Sequence, residues 1–109
     1  MKWRRYILVD GEPRECEDLL EWARWLEVDE NIIVAQTRRD GMFISTVFLG
    51  IDLAKPFGEA AGPPVLFETL VRGGPLDGAQ ERYRTLADAR RGHETTLARI
   101  TAFLRTERE

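Results

Sequence analysis

The sequence predicts an α+β fold, with a mostly antiparallel sheet of about five strands and two helices packed on one face. Three observations carry that expectation. Short β-branched and aromatic runs follow one another with turn residues between them. Two longer stretches, 17–28 and 86–105, instead repeat apolar residues at helical spacing. No internal repeat or boundary separates these segments, so residues 1–109 are expected to form one domain.

Tyr6-Ile7-Leu8-Val9 opens the chain as a strand, and Asp10-Gly11 supplies the positive φ of a tight hairpin. The returning segment 12–16 contains Pro13, which cannot donate to a ladder and so marks an edge. Leu19, Trp22, Ala23 and Leu26 then fall on one helical face, leaving Trp25 off the stripe. Residues 32–38 and 42–49 read as strands joined through Arg39-Asp40-Gly41. Residues 55–64 are a Pro/Gly/Ala loop without apolar period, expected to run over the surface. A strand over 65–72 follows, then a glycine-rich turn and a short extended piece around Arg82-Tyr83-Arg84.

The last helix is expected from Leu86 to Arg105, with Thr85 as N-cap and Asp88 three residues on. Its stripe is Leu86, Ala89, His93, Leu97, Ile100 and Leu104, broadened by Phe103. Gly92 weakens a helix by about 1 kcal/mol relative to Ala, so its use implies close approach of a neighbouring strand.

Bulk composition excludes more than it assigns. With 43% hydrophobic and 32% charged residues, the chain is ordinary for a soluble globular protein. A net charge of −3 argues against broad nucleic-acid binding, which rests on clustered Lys and Arg. Cys16 stands alone, which excludes an intramolecular disulfide and a cysteine-built zinc site. No signal peptide and no membrane-spanning run is read, so the expected location is cytoplasmic.

The candidate site residues lie in the middle of the chain. Strand alternation places Val65, Phe67, Thr69 and Val71 on one side and Leu66, Glu68, Leu70 and Arg72 on the other. Glu68 then reads as a solvent-facing carboxylate, as part of a binding surface, or as a general base. Ser45 lacks the glycine-flanked elbow of a hydrolase nucleophile, so Ser45 and Thr46 read as ordinary strand residues. His93, centred on an apolar stripe, reads as a buried histidine with one hydrogen-bond partner. One histidine builds no usual metal site, and carboxylates alone would have to converge from Asp52, Glu68 or Asp77.

Gly73-Gly74-Pro75-Leu76-Asp77-Gly78 is the strongest local signal, with glycines that need not be there for packing. Consecutive glycines permit an anion-binding nest, although neither a Walker loop nor a dinucleotide fingerprint is present. The turn reads as a tight connection or as a recognition loop. Trp25, if exposed, is a candidate interface anchor beside Trp3 and Trp22.

At these residues the chain resembles a family of small bacteriophage and prophage proteins. The resemblance rests on Ser45 to Gly50 with Asp52, Leu66 to Thr69 with Val71, Gly73 to Asp77, and Gly92-His93. The start, from Arg5-Tyr6 through Leu19 to Trp25, is also similar. Leu53 departs from the pattern, where the family often has His after the Asp, which removes a second histidine. The resemblance implies no reaction. It does imply a phage setting, where compact acidic domains act by binding a host protein, including components of bacterial immunity.

The reading is therefore a non-catalytic binding protein, with no cofactor or metal and with a host or bacterial protein as partner. Acidic surface groups are expected to meet a basic patch on that partner. The expected contact residues are Glu68, Arg72, Gly73, Gly74, Asp77 and Trp25. Two alternatives stand beside it: a small enzyme or metabolite-binding domain using Glu68, Asp77 and His93, and a homo-oligomer joined through sheet edges.

Overall fold

The structure, a computed structural model, describes residues 4–53 and 62–108. Most of the loop expected over 55–64, and Trp3, lie outside the described residues. Nine elements follow in order: β1 (Tyr6–Val9), β2 (Glu12–Glu15), α1 (Leu19–Leu26), α2 (Asp29–Ile32), β3 (Ile33–Arg39), β4 (Met42–Phe48), β5 (Phe67–Arg72), β6 (Gln80–Tyr83) and α3 (Leu86–Arg108). The α+β class holds, but its count does not. Among the described residues there are six strands in two antiparallel sheets and three helices, rather than five strands and two helices. None of these helices is long and apolar enough to cross a membrane.

The main sheet has the order β3-β4-β5-β6, every pair antiparallel. Both two-residue hairpin turns carry positive φ at Asp and Gly, at Asp10 and Gly11 and again at Asp40 and Gly41. That backbone matches the right-handed strand twist, which is why Asp-Gly marked both turns in the sequence. The β1–β2 hairpin joins the end of β4: the Tyr6 amide donates to the Gly50 carbonyl at 2.8 Å, and the Asp52 amide to the Arg4 carbonyl at 3.1 Å.

Along β4, Met42, Ile44, Thr46 and Phe48 are buried while Phe43, Ser45 and Val47 are partly exposed. The inward set meets α3, whose Ala89, His93, Thr96 and Ile100 are buried in turn. Two apolar clusters result. One gathers Tyr6, Phe48, Leu66, Phe67 and Ala89, and the other Met42, Ile44, Val71 and Ile100.

The first predicted helix is shorter than 17–28; Trp22, Ala23 and Leu26 of its stripe are partly buried as expected, Trp25 joins them, and Leu19 does not. Asp18 caps the helix, its Oδ1 accepting from the Leu20 and Glu21 amides at 3.0 and 3.1 Å. Trp22 Nε1–H donates to the Gly50 carbonyl at 3.0 Å, and Trp25 meets Phe48 edge-on with ring centroids 5.4 Å apart. Leu19 is left 58% exposed. Periodicity marks the inward face of the later turns, where the part-buried indole N–H finds a carbonyl partner, and the first turn overhangs the core.

Candidate functional site

Beneath the sheet lies a polar layer that the sequence did not announce. His93 is 1% exposed and both ring nitrogens are bonded, Nδ1 to Thr46 Oγ1 at 2.7 Å and Nε2 to Thr37 Oγ1 at 2.9 Å. Thr46 Oγ1 also meets Thr69 Oγ1 at 2.5 Å, and the Tyr83 hydroxyl donates to Thr69 Oγ1 at 3.0 Å. The chain of bonds therefore takes one residue from each strand of the main sheet and ties them to α3.

Proton counting assigns a direction to this chain. Each hydroxyl carries one proton, and Tyr83 gives its own to Thr69. Thr69 then donates to Thr46, Thr46 to His93 Nδ1, and the Nε2–H donates to Thr37. The reverse order would leave the buried Thr69 proton unpaired, a loss of about 1–3 kcal/mol. Burial pushes the His93 pKa down, opposed by the nearby Glu94 carboxylate, so the ring is held neutral. One bonded partner was expected for His93; the two it has use both nitrogens structurally.

Although Leu66, just before β5, is buried in the first apolar cluster, the strand residues of β3 to β6 that face the other way belong to neither cluster. Cross-strand register arranges them in three rows. Arg38, Phe43 and Arg72 form the row at the hairpin end. Gln36, Ser45, Leu70 and Gln80 form the next, and Ile33, Val47, Glu68 and Arg82 the third. Arg38 lies over the Phe43 ring, 4.5 Å from its centroid. Arg82 Nε donates to Glu68 Oε2 at 3.0 Å. Glu68 and Arg72 thus share the open face as the alternation predicts, but the charge partner of Glu68 is Arg82.

The glycine-rich turn is built by packing, contrary to the sequence reading. Gly73 and Gly74 have φ of 85° and 71°. A β-carbon on Gly73 would lie 2.5 Å from the Gly41 carbonyl oxygen, and one on Gly74 would lie 2.5 Å from Met42 Cγ. Only glycine lets this turn close against the β3–β4 hairpin. The Gly73 amide is already taken from within the turn, since Asp77 Oδ1 accepts from it at 2.6 Å.

Glu68, Asp77 and His93 are not brought together. Glu68 lies on the open face, His93 is buried on the other side with Thr46 and Thr69, and Asp77 is bonded into its own turn. Ser45 and His93 are likewise separated by the sheet, because Thr46 and not Ser45 points toward α3. Among the described residues no group of His, Cys, Asp or Glu is arranged to hold a metal ion. Cys16 is buried beside Glu21, and burial pushes its thiol pKa up, away from the reactive thiolate.

Trp25 is half-buried and packed against the first apolar cluster, so its ring edge serves the core. Arg38, Phe43 and Arg82 enter the open face without having been singled out in the sequence. The available signal was the alternation of β4, which sends Phe43 and Val47 to the same side as Ser45. Compared with known protein families, with curated proteins and with solved structures, the chain matches none.

Proposed function

We propose that this protein is a non-catalytic binding module that engages a protein partner through the open face of its main sheet. One observation carries the reading. Phe43, Val47 and Leu70 are apolar and partly exposed, yet belong to neither apolar cluster of the fold. A sheet folded for stability alone tolerates polar residues at such positions, so a band of apolar groups rimmed by arginines suits an interface. The turn at Gly73, Gly74 and Asp77 directly follows Arg72 and adds a shaped border to the face.

The resemblance to phage and prophage proteins supplies the setting, a host-cell protein met in the cytosol, with components of bacterial immunity among the candidates. Placing a charge in the centre of the face tests the reading. Wild-type protein is expected to recover a stoichiometric host partner from lysate, and Leu70→Asp, with an unchanged melting temperature, to lose it. Recovery of the same partner by both proteins, or of none by the wild type, would sink the reading.

A further inference from the structure

Resting on that reading of the open face, we infer that its partner presents an acidic, extended segment, with a carboxylate seated at the row Arg38–Phe43–Arg72. The net charge of the chain points the other way, toward a basic partner, but that charge is unevenly placed. Between residues 4 and 32, nine acidic residues stand against four arginines. The open face instead carries Arg38, Arg72 and Arg82 against Glu68 alone.

The three rows differ in what they have left to offer. Arg82 is already committed to Glu68 at 3.0 Å, so the third row is close to neutral. At the hairpin end, Arg38 lies over the Phe43 ring at 4.5 Å and makes no ion pair to any described carboxylate. Arg72 stands across Phe43 from it, exposed and without an ion pair to any described carboxylate. Two guanidinium groups flanking one ring are suited to a carboxylate, which each can bind bidentately.

Spacing then constrains the rest of the segment. Leu70 is one row, and Val47 two rows, from the Arg38–Phe43–Arg72 row, at about 3.3 Å per residue along a strand. An extended partner strand would therefore set apolar side chains two and four residues from its acidic residue. Charge complementarity selects the partner, and the apolar band holds it.

The test uses isotopically labelled full-length protein and three defined probes: a short peptide alternating glutamate with leucine, its lysine–leucine counterpart, and a short oligothymidylate. The glutamate peptide is expected to shift amide signals of residues 36–47 and 68–72, and added salt to weaken the effect. Arg72→Glu and Arg38→Glu, each on an exposed sheet position, should each weaken that binding by about tenfold while the melting temperature stays within a few degrees. Equal binding of the lysine peptide at this face would overturn the acidic assignment and leave the protein-binding reading standing. Tighter binding of the oligothymidylate there would overturn both. A glutamate peptide that leaves the face unperturbed overturns the inference, and partner capture by wild type against Leu70→Asp then decides the reading separately. Salt-sensitive self-association abolished by Arg72→Glu would seat a second copy on the face and also overturn the inference.

Discussion

The ring and hydroxyl of Tyr83 occupy the space that a β-carbon on residue 92 would take, so Gly92 in α3 is what allows Tyr83 to reach Thr69. This approach brings β6 and α3 together at the start of the buried polar chain. Gly92→Ala should gain roughly 1 kcal/mol of helix propensity yet destabilise the protein by about 1–3 kcal/mol net, because Tyr83 must move off residue 92 and give up its bond to Thr69. Denaturant unfolding measures the difference. Adding Tyr83→Leu to Gly92→Ala should recover part of the loss, and strict additivity of the two changes would count against the contact.

Protonation of His93 would place a second N–H against Thr46, whose own proton would then turn to Thr69 and leave the Thr69 proton unpaired. With the native pKa lowered by burial, the unfolded chain binds more protons than the native one below the ordinary histidine value of about 6.5. The His93 contribution is thus fully present above that pH and is lost as pH falls through the native pKa. Stability of the wild type should therefore fall more steeply below about pH 6.5 than that of His93→Gln. Parallel pH profiles for the two proteins would refute the assignment.

Thr69→Val keeps the shape of the buried residue and removes the hydroxyl that joins Tyr83 to Thr46. Two buried hydroxyls then lose a partner, and a loss of about 1–3 kcal/mol is expected. Exchange of the β5 and β6 amides measured in the same variant should show whether the edge strand loosens first, as its short ladder to β5 implies.

At the glycine-rich turn, Gly73→Ala combines a disfavoured positive φ with a clash on the Gly41 carbonyl. It should destabilise by about 1–3 kcal/mol. Asp77→Ala should be milder, about 1 kcal/mol, and should speed exchange of the Gly73 amide that Asp77 now holds. Phosphate added at millimolar levels should not protect the Gly73 amide in the wild type, since that amide already donates to the Asp77 carboxylate.

The rotation of α1 makes a contrasting pair. Leu19→Ser, at a residue 58% exposed, should change stability by no more than about 0.5 kcal/mol. Trp25→Ala removes a ring packed on Phe48 and should lose about 3 kcal/mol or more. The reverse ranking in thermal unfolding would put Leu19, and not Trp25, on the inward face.

Several features were legible in the chain because their causes are local. The Asp-Gly turns, the Thr85 cap, whose Oγ1 accepts from the Asp88 amide at 3.0 Å, and the α3 stripe each depend on residues a few positions apart. The alternation that puts Glu68 and Arg72 on one face and Thr69 on the other belongs to the same class. What the tertiary structure decided are meetings across long separations. Thr37, Thr46, Thr69, Tyr83 and His93 come from five elements, and no spacing in the sequence links them. The reason Gly73 and Gly74 must be glycine lies on another hairpin, at Gly41 and Met42. Charge followed the same division, since a count over the whole chain is negative while strand register gathers Arg38, Arg72 and Arg82 onto one face. Local chemistry sets elements and turns, whereas register and packing determine which side chains become neighbours.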